Sequence, residues 1–186
     1  MVIIGDTRDF KGDCSAVAIG KFDGIHMGHR KLLKALVTYA RENRMPSVVF
    51  TFDPLPSQAF GGTDKEALLS LPERRRMFQA LGVDVLLEFP FNRESASMPP
   101  ETFISGIIVS GLRAKAVFCG DDISFGAGGR GDLTLLLKLA AVNSFEVHVI
   151  DKLTSGGKPV SSTRIRSALE EGRTDEAREM LGPPEI

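Results

Sequence analysis

The stretch AVAIGKFDGIHMGHRKLL, residues 16–33, passes from an apolar run through a glycine-rich turn into a helical pattern. Ala16–Ile19 is short, apolar and uninterrupted, which suits a strand buried on both faces of a parallel sheet. Leu32, Leu33, Leu36, Val37 and Ala40 then share one stripe, with Lys31, Lys34 and Arg41 elsewhere, and predict a helix over 29–43. Between strand and helix lie Gly20, Gly24 and Gly28, together with His26 and His29, two of the 3 histidines in the chain.

The same alternation continues outward. Strand-length apolar runs recur at Ser47–Phe52, Val83–Phe89, Ala114–Cys119 and Glu146–Ile150. Helical patterns separate them. SLPERRRMFQAL opens with Ser70 as N-cap and Pro72 in the first turn. PPETFISGIIVSGL has Pro100 in its first turn and Gly111 near its stop, and GDLTLLLKLAAVN has Asp132 as N-cap. Strands alternating with helices require right-handed crossovers and an open α/β sheet covered on both faces. The last third differs: a Gly-rich turn, an extended piece at Pro159–Val160, then two helices capped by Ser161 or Ser162 and by Thr174. Two long connections, 53–69 and 120–131, follow the carboxyl ends of strands, the edge at which such sheets bind ligands.

Composition narrows the function. The 186 residues suit one domain, and 42% hydrophobic with 25% charged residues can build a sizeable core. A net charge of −1 argues against a nucleic-acid partner. No apolar run approaches the roughly 20 residues of a membrane span, and no signal peptide is recognisable. Cys14 and Cys119 are too few for a disulfide framework, so a reducing cytoplasm is expected. A monomer is compatible with everything in the sequence.

Glycines where a chain leaves a buried strand let backbone approach a ligand, and the next helix offers unpaired N–H groups to an anion. His26 and His29 would add two donors to phosphate oxygens. At a helix start the partial positive charge disfavours their protonation, so neutral donors are expected, neither bases nor zinc ligands. SSTRIR, residues 161–166, suggests a second anion site: Ser161, Ser162 and Thr163 bring hydroxyls to a helix start, while Arg164 and Arg166 bring charge. Gly126, Gly128 and Gly131 fit a dinucleotide fingerprint only by spacing, since GDDISF intervenes after the strand. Phe60 and Phe125 lie in the long loops and could contact a flat ring ligand.

GKFDGIHMGHRKLL, FTFDPLP, MPPETF, CGDDISFGAGGRGD and VSSTRIRSAL occur in an order and spacing that resembles the FAD synthetase family. This is the FMN adenylyltransferase module of the bacterial bifunctional riboflavin kinase/FAD synthetase, in the HxGH nucleotidylyltransferase superfamily. The resemblance implies a Rossmann-like open parallel sheet of nucleotidylyltransferase type, with ATP and FMN as substrates and Mg2+ accompanying ATP. It implies that Gly20, Phe22, Asp23, Gly24, His26, Gly28 and His29, with Ser161, Ser162, Thr163 and Arg166, form the ATP site. His26, His29 and Arg166 are the expected catalytic residues. Asp53, Pro54, Pro56, Asp122, Phe125 and Gly126 match the flavin-side motifs.

Leu55 stands where the family has a His, and Ile123-Ser124 where it has Phe-Arg, so weaker flavin recognition is expected. The domain expected over 1–186 is a single nucleotidylyltransferase domain without the riboflavin kinase module. Two alternatives remain at this point: a relative acting on another phosphorylated acceptor, and a non-catalytic nucleotide- or flavin-binding paralogue.

Overall fold

The computed structural model describes residues 1–59 and 67–183. Its centre is a six-stranded, wholly parallel sheet made of β1 (Val2–Ile4), β2 (Ser15–Ile19), β3 (Ser47–Asp53), β4 (Val85–Pro90), β5 (Ala114–Gly120) and β6 (Glu146–Ile150), in the order β1-β4-β3-β2-β5-β6. All five expected strands form; β1 is an addition, three residues paired with β4.

The pleat explains the continuous apolar runs. Ala16 and Ala18 of β2 face one layer with Leu33 and Leu36 of α1 (Met27–Glu42) and Phe78 of α2 (Leu71–Ala80). Val17 and Ile19 face the opposite layer with Ile104, Ile108 and Leu136. That second layer holds α3 (Arg93–Ser97), α4 (Pro100–Thr102), its continuation Phe103–Gly111, and α5 (Leu133–Asn143). Residues 103–111 are π-helical, where the sequence predicts an α-helix. Ile104, Ile108 and Leu112 are buried at steps of four, a spacing the wider π turn keeps on one face.

Ser70 and Asp132 cap α2 and α5 as expected. After β6, the short strands β7 (Thr154–Ser155) and β8 (Lys158–Pro159) form a hairpin that leads into α6 (Ser162–Glu170) and α7 (Thr174–Leu181). Ser161 caps α6, but Thr174 is the first residue of α7, whose N-cap is Arg173. Val160, Ile165, Ala168, Ala177 and Met180 give this pair a small core of its own.

Sheet order fixes where a ligand can enter. From β2 the chain crosses through α1 to β3 on one side, while β5 occupies the other. The order reverses between β2 and β5, so a crevice opens at their carboxyl ends.

Candidate active site

That crevice is a cleft of about 680 Å³, bordered by the β2–α1 loop, the carboxyl ends of β3 to β6, the β5–α5 loop and the start of α6. The loop from Gly20 to His26 is tightly folded. Phe22 and Ile25 have φ of 48° and 39°, a left-handed backbone that non-glycine residues seldom adopt. Gly20 has no room for a Cβ, which would sit 2.8 Å from the Phe22 ring. Phe22 is fully buried and meets Phe78 and His29 edge-on.

His26 is the N-cap of α1, and its Nδ1 accepts the His29 N–H at 3.4 Å. An accepting Nδ1 puts the proton of the neutral ring on Nε2, which becomes a donor. The two imidazoles stack 3.8 Å apart at 15°. Burial holds His26 down at about 4, against the charges of Asp122 and Asp23, which favour protonation. Burial also pushes His29 well below its ordinary value, and proximity to His26 adds to this. Both are therefore neutral near pH 7, and burial is the main cause where the sequence suggests the helix terminus.

Across the cleft stand Ser161, Ser162, Thr163 and Arg166. The Ser161 hydroxyl accepts the Arg164 N–H at 3.2 Å, so it caps α6 as well as lining the cleft. Arg166 pairs with Asp23, whose other oxygen accepts the Leu68 N–H at 2.9 Å. This bridge fastens α6 to the histidine loop. Beside them Lys152 pairs with Asp122 at 2.9 Å, linking the ends of β5 and β6.

The portion over β3, β4 and α4 has a different chemistry. Phe50, Phe52, Phe89, Phe91, Phe103 and Phe125 line it with Leu55, Met98 and Ile123. Their rings form a connected set, with Phe50 5.1 Å from Phe52 and 5.0 Å from Phe103, and Phe52 5.0 Å from Phe91. Leu55 is 2% exposed, so an apolar side chain closes this end. Gly126, at φ 69°, lies where a Cβ would approach Pro100 to 2.5 Å, and Gly131 pairs with Phe125. These glycines shape the loop and open no dinucleotide turn.

The cleft gathers most of the expected site residues: Gly20, Phe22, Asp23, His26, Gly28, His29, Pro56, Asp122, Phe125, Gly126, Ser161, Ser162, Thr163 and Arg166. Arg164 is a correction. It donates to the carbonyls of Ser155 and Lys158 at 2.8 and 2.9 Å and pairs with Glu176, so its charge fastens the β7–β8 hairpin and α7. Gly24 is not on the wall either; a Cβ there would sit 2.8 Å from Leu68, so its role is packing. Asp53 and Pro54, joined by a cis peptide bond, stand outside the lining, and Phe60 lies outside the described residues. Lys152, Phe89 and Phe91 also line the cleft, and no sequence motif marks them; Lys21, inside GKFDGIHMGHRKLL, and Asp151 line it too.

Known proteins resemble this chain in sequence and in fold. The profile of a family described as FAD synthetase matches residues 10–164. A bifunctional riboflavin kinase/FMN adenylyltransferase of Escherichia coli K12 is 38% identical over 170 residues, covering 90% of this chain and 54% of its own length. Its counterpart in Listeria monocytogenes is 35% identical, with the same coverage. The chain thus spans about half the length of the curated relatives it matches. A crystal structure of a Streptococcus pneumoniae protein described as a macrolide-efflux protein is 30% identical, with a TM-score of 0.85, over 99% of this chain and 62% of that one. In this chain, no helix among the described residues is long and apolar enough to cross a membrane. Pantoate–β-alanine ligase of Francisella tularensis, 13% identical with a TM-score of 0.58 over 96% of this chain and 79% of its own, shares the fold. The profile match over most of the chain and the identity to these relatives agree: the chain belongs to the FAD synthetase family.

Proposed function

We propose that this chain is an FMN adenylyltransferase, which transfers the adenylyl group of ATP to the phosphate of FMN and releases pyrophosphate, forming FAD. One observation carries the reading. A single cleft joins a polar half built from a helix start, two histidines, three hydroxyls and an arginine to an apolar half built from phenylalanine rings. The first suits a triphosphate and the second a flat, uncharged ring system.

The phosphate of FMN is already an anion, so its attack on the α-phosphorus of ATP needs no general base. Catalysis reduces to aligning two negative reactants and stabilising charge on phosphoryl oxygens. His26, neutral with its proton on Nε2, donates to such an oxygen, as does His29 beside it. Arg166, oriented by Asp23, supplies fixed positive charge. Mg2+ accompanying ATP would neutralise part of the triphosphate charge. Among the described residues no cluster of three or more His, Cys, Asp or Glu side chains is placed to hold an ion, so it would be carried in by ATP. Two free cysteines, Cys119 with its thiol pushed up to about 11 by burial, support a reducing cytoplasm as the setting.

A second reading, transfer to a different phosphorylated acceptor, is favoured by Leu55 and Ser124, which replace longer polar side chains of the family pattern. The test is incubation with labelled ATP and FMN, followed by chromatography. Labelled FAD with equimolar pyrophosphate is the expected result. Unchanged FMN beside transfer to another phosphate ester would establish the second reading, and no transfer at all would overturn both.

A further inference from the structure

Alternate residues of the β2–α1 loop are each held by a guanidinium from a different helix. Arg74 of α2 donates to the carbonyls of Lys21 and Phe52, both at 3.5 Å. Arg166 of α6 pairs with Asp23. Arg30 of α1 donates through Nε to the carbonyl of Ile25 at 3.1 Å, and through a terminal nitrogen to the carbonyl of Pro183, beyond α7. Only Arg166 of the three lines the cleft. The clamped loop contains the two left-handed residues, Phe22 and Ile25, and leads directly into His26.

Burying a guanidinium is unfavourable unless it gains specific partners. Arg74 is 3% exposed, and its hydrogen-bond partners among the described residues are carbonyls. Three carboxylates act on it through their charge, Glu88, Asp53 and Asp23; Glu88 is taken by Arg75 in a bidentate pair and Asp23 pairs with Arg166. Arg30 is 8% exposed and spans from the histidine loop to the segment after α7. An apolar side chain would fill either position at smaller desolvation cost, so packing alone does not account for two buried charges. Strained backbone persists only where its surroundings over-determine it, and these contacts fall on the loop that requires it.

We infer that Arg30 and Arg74 are positioning residues for the adenylyl transfer proposed above, fixing the Lys21 and Ile25 carbonyls so that His26 and His29 present their donors to the reacting phosphate. The inference rests on that reading of the cleft. Neither arginine touches substrate; each acts through the loop.

The test uses Arg30→Met, Arg74→Met, Arg30→Lys and Arg74→Lys in the full chain. Two readouts are steady-state transfer from ATP to FMN and the imidazole ¹⁵N spectrum with ATP alone. The Met variants are expected to lose about 10²-fold in kcat, the effect of a small misplacement. Their KM for ATP should stay within about threefold, since the cleft-lining groups remain. The Lys variants, which keep the charge but reach fewer carbonyls, should recover part of the rate. Resonances of His26 and His29 should shift, while His148, on β6, stays in place.

Met variants with wild-type kcat and unmoved His26 and His29 signals would overturn the inference. So would a rise in KM matching the fall in kcat with all three histidines displaced, which marks general loosening. Should the Met variants not fold, Lys variants with wild-type rates and spectra would overturn it equally. If the wild-type chain transfers no AMP to FMN, the functional reading fails, and the ATP-bound histidine spectra still decide whether the clamps orient the rings.

Discussion

His26 and His29 line the cleft with stacked rings at its proposed phosphate end, and burial keeps both of them uncharged. An imidazole in the unfolded chain titrates near 6.5, whereas His26 in the folded protein titrates at about 4. Between those values the unfolded state binds protons that the folded rings refuse. Stability is therefore full above about pH 6.5 and falls as pH drops towards 4. Phosphate groups in the cleft act in the opposite direction by favouring imidazolium. ATP binding should then take up protons below neutrality, and ATP affinity should rise as pH falls from 7 towards 5. Calorimetric titrations in two buffers of different ionisation enthalpy measure this uptake directly. His29→Ala should reduce it and lower kcat by about 10²–10³, the usual effect of losing one donor to a developing oxyanion. Proton uptake absent in the wild type, or near-normal turnover in the variant, would contradict this account.

Among the secondary-structure elements, Arg164 and Arg166 show how the same motif serves two ends. They lie two residues apart on α6, about 200° around the helix, so only one can face the cleft. Arg166 does, and Arg164 turns to the hairpin carbonyls and Glu176. Arg164→Met should therefore lower stability by about 1.5–3 kcal/mol, as expected for losing hydrogen bonds to a charged group. Thermal melting reads that loss, and calorimetry should find ATP affinity within about twofold of wild type. An ATP affinity that falls tenfold with no change in melting would restore Arg164 to the nucleotide site. The same contrast explains what the sequence makes legible. Ser70, Asp132 and Ser161 announce helix starts because capping is local, and His26, His29 and the hydroxyls of 161–163 are legible for the same reason. β1 is only three residues long and owes its place to β4, and α3, five residues long, depends on a capping box between Asn92 and Ser95. Lys152, Phe89 and Phe91 reach the cleft through strand order, which no neighbouring residues encode.

Across the whole molecule, the reversal of strand order between β2 and β5 places two chemistries along one crevice. Hydroxyls and imidazoles come from the starts of α1 and α6, whereas the rings come from β3, β4 and the α4 segment. Because different elements supply the two halves, substitutions in each should act on different substrates. Phe52 is partly exposed at the cleft and meets Phe50, Phe89 and Phe91, so Phe52→Ala removes ring contact from the apolar half. Aromatic pairs are worth about 0.5–1.5 kcal/mol beyond burial, which corresponds to a rise in the FMN dissociation constant of about tenfold or more once lost area is added. Ser162 lines the opposite half and leaves the capping of α6 to Ser161, so Ser162→Ala tests the phosphate side without removing the cap. Its effect should fall on ATP, by about 1 kcal/mol for one neutral hydrogen bond. In the double variant the two losses should add to within about 0.5 kcal/mol, because the sites share no partner. Equilibrium titrations of the four proteins with ATP and with FMN measure every term. A Phe52→Ala effect divided equally between ATP and FMN would show that the cleft is one pocket and not two joined halves.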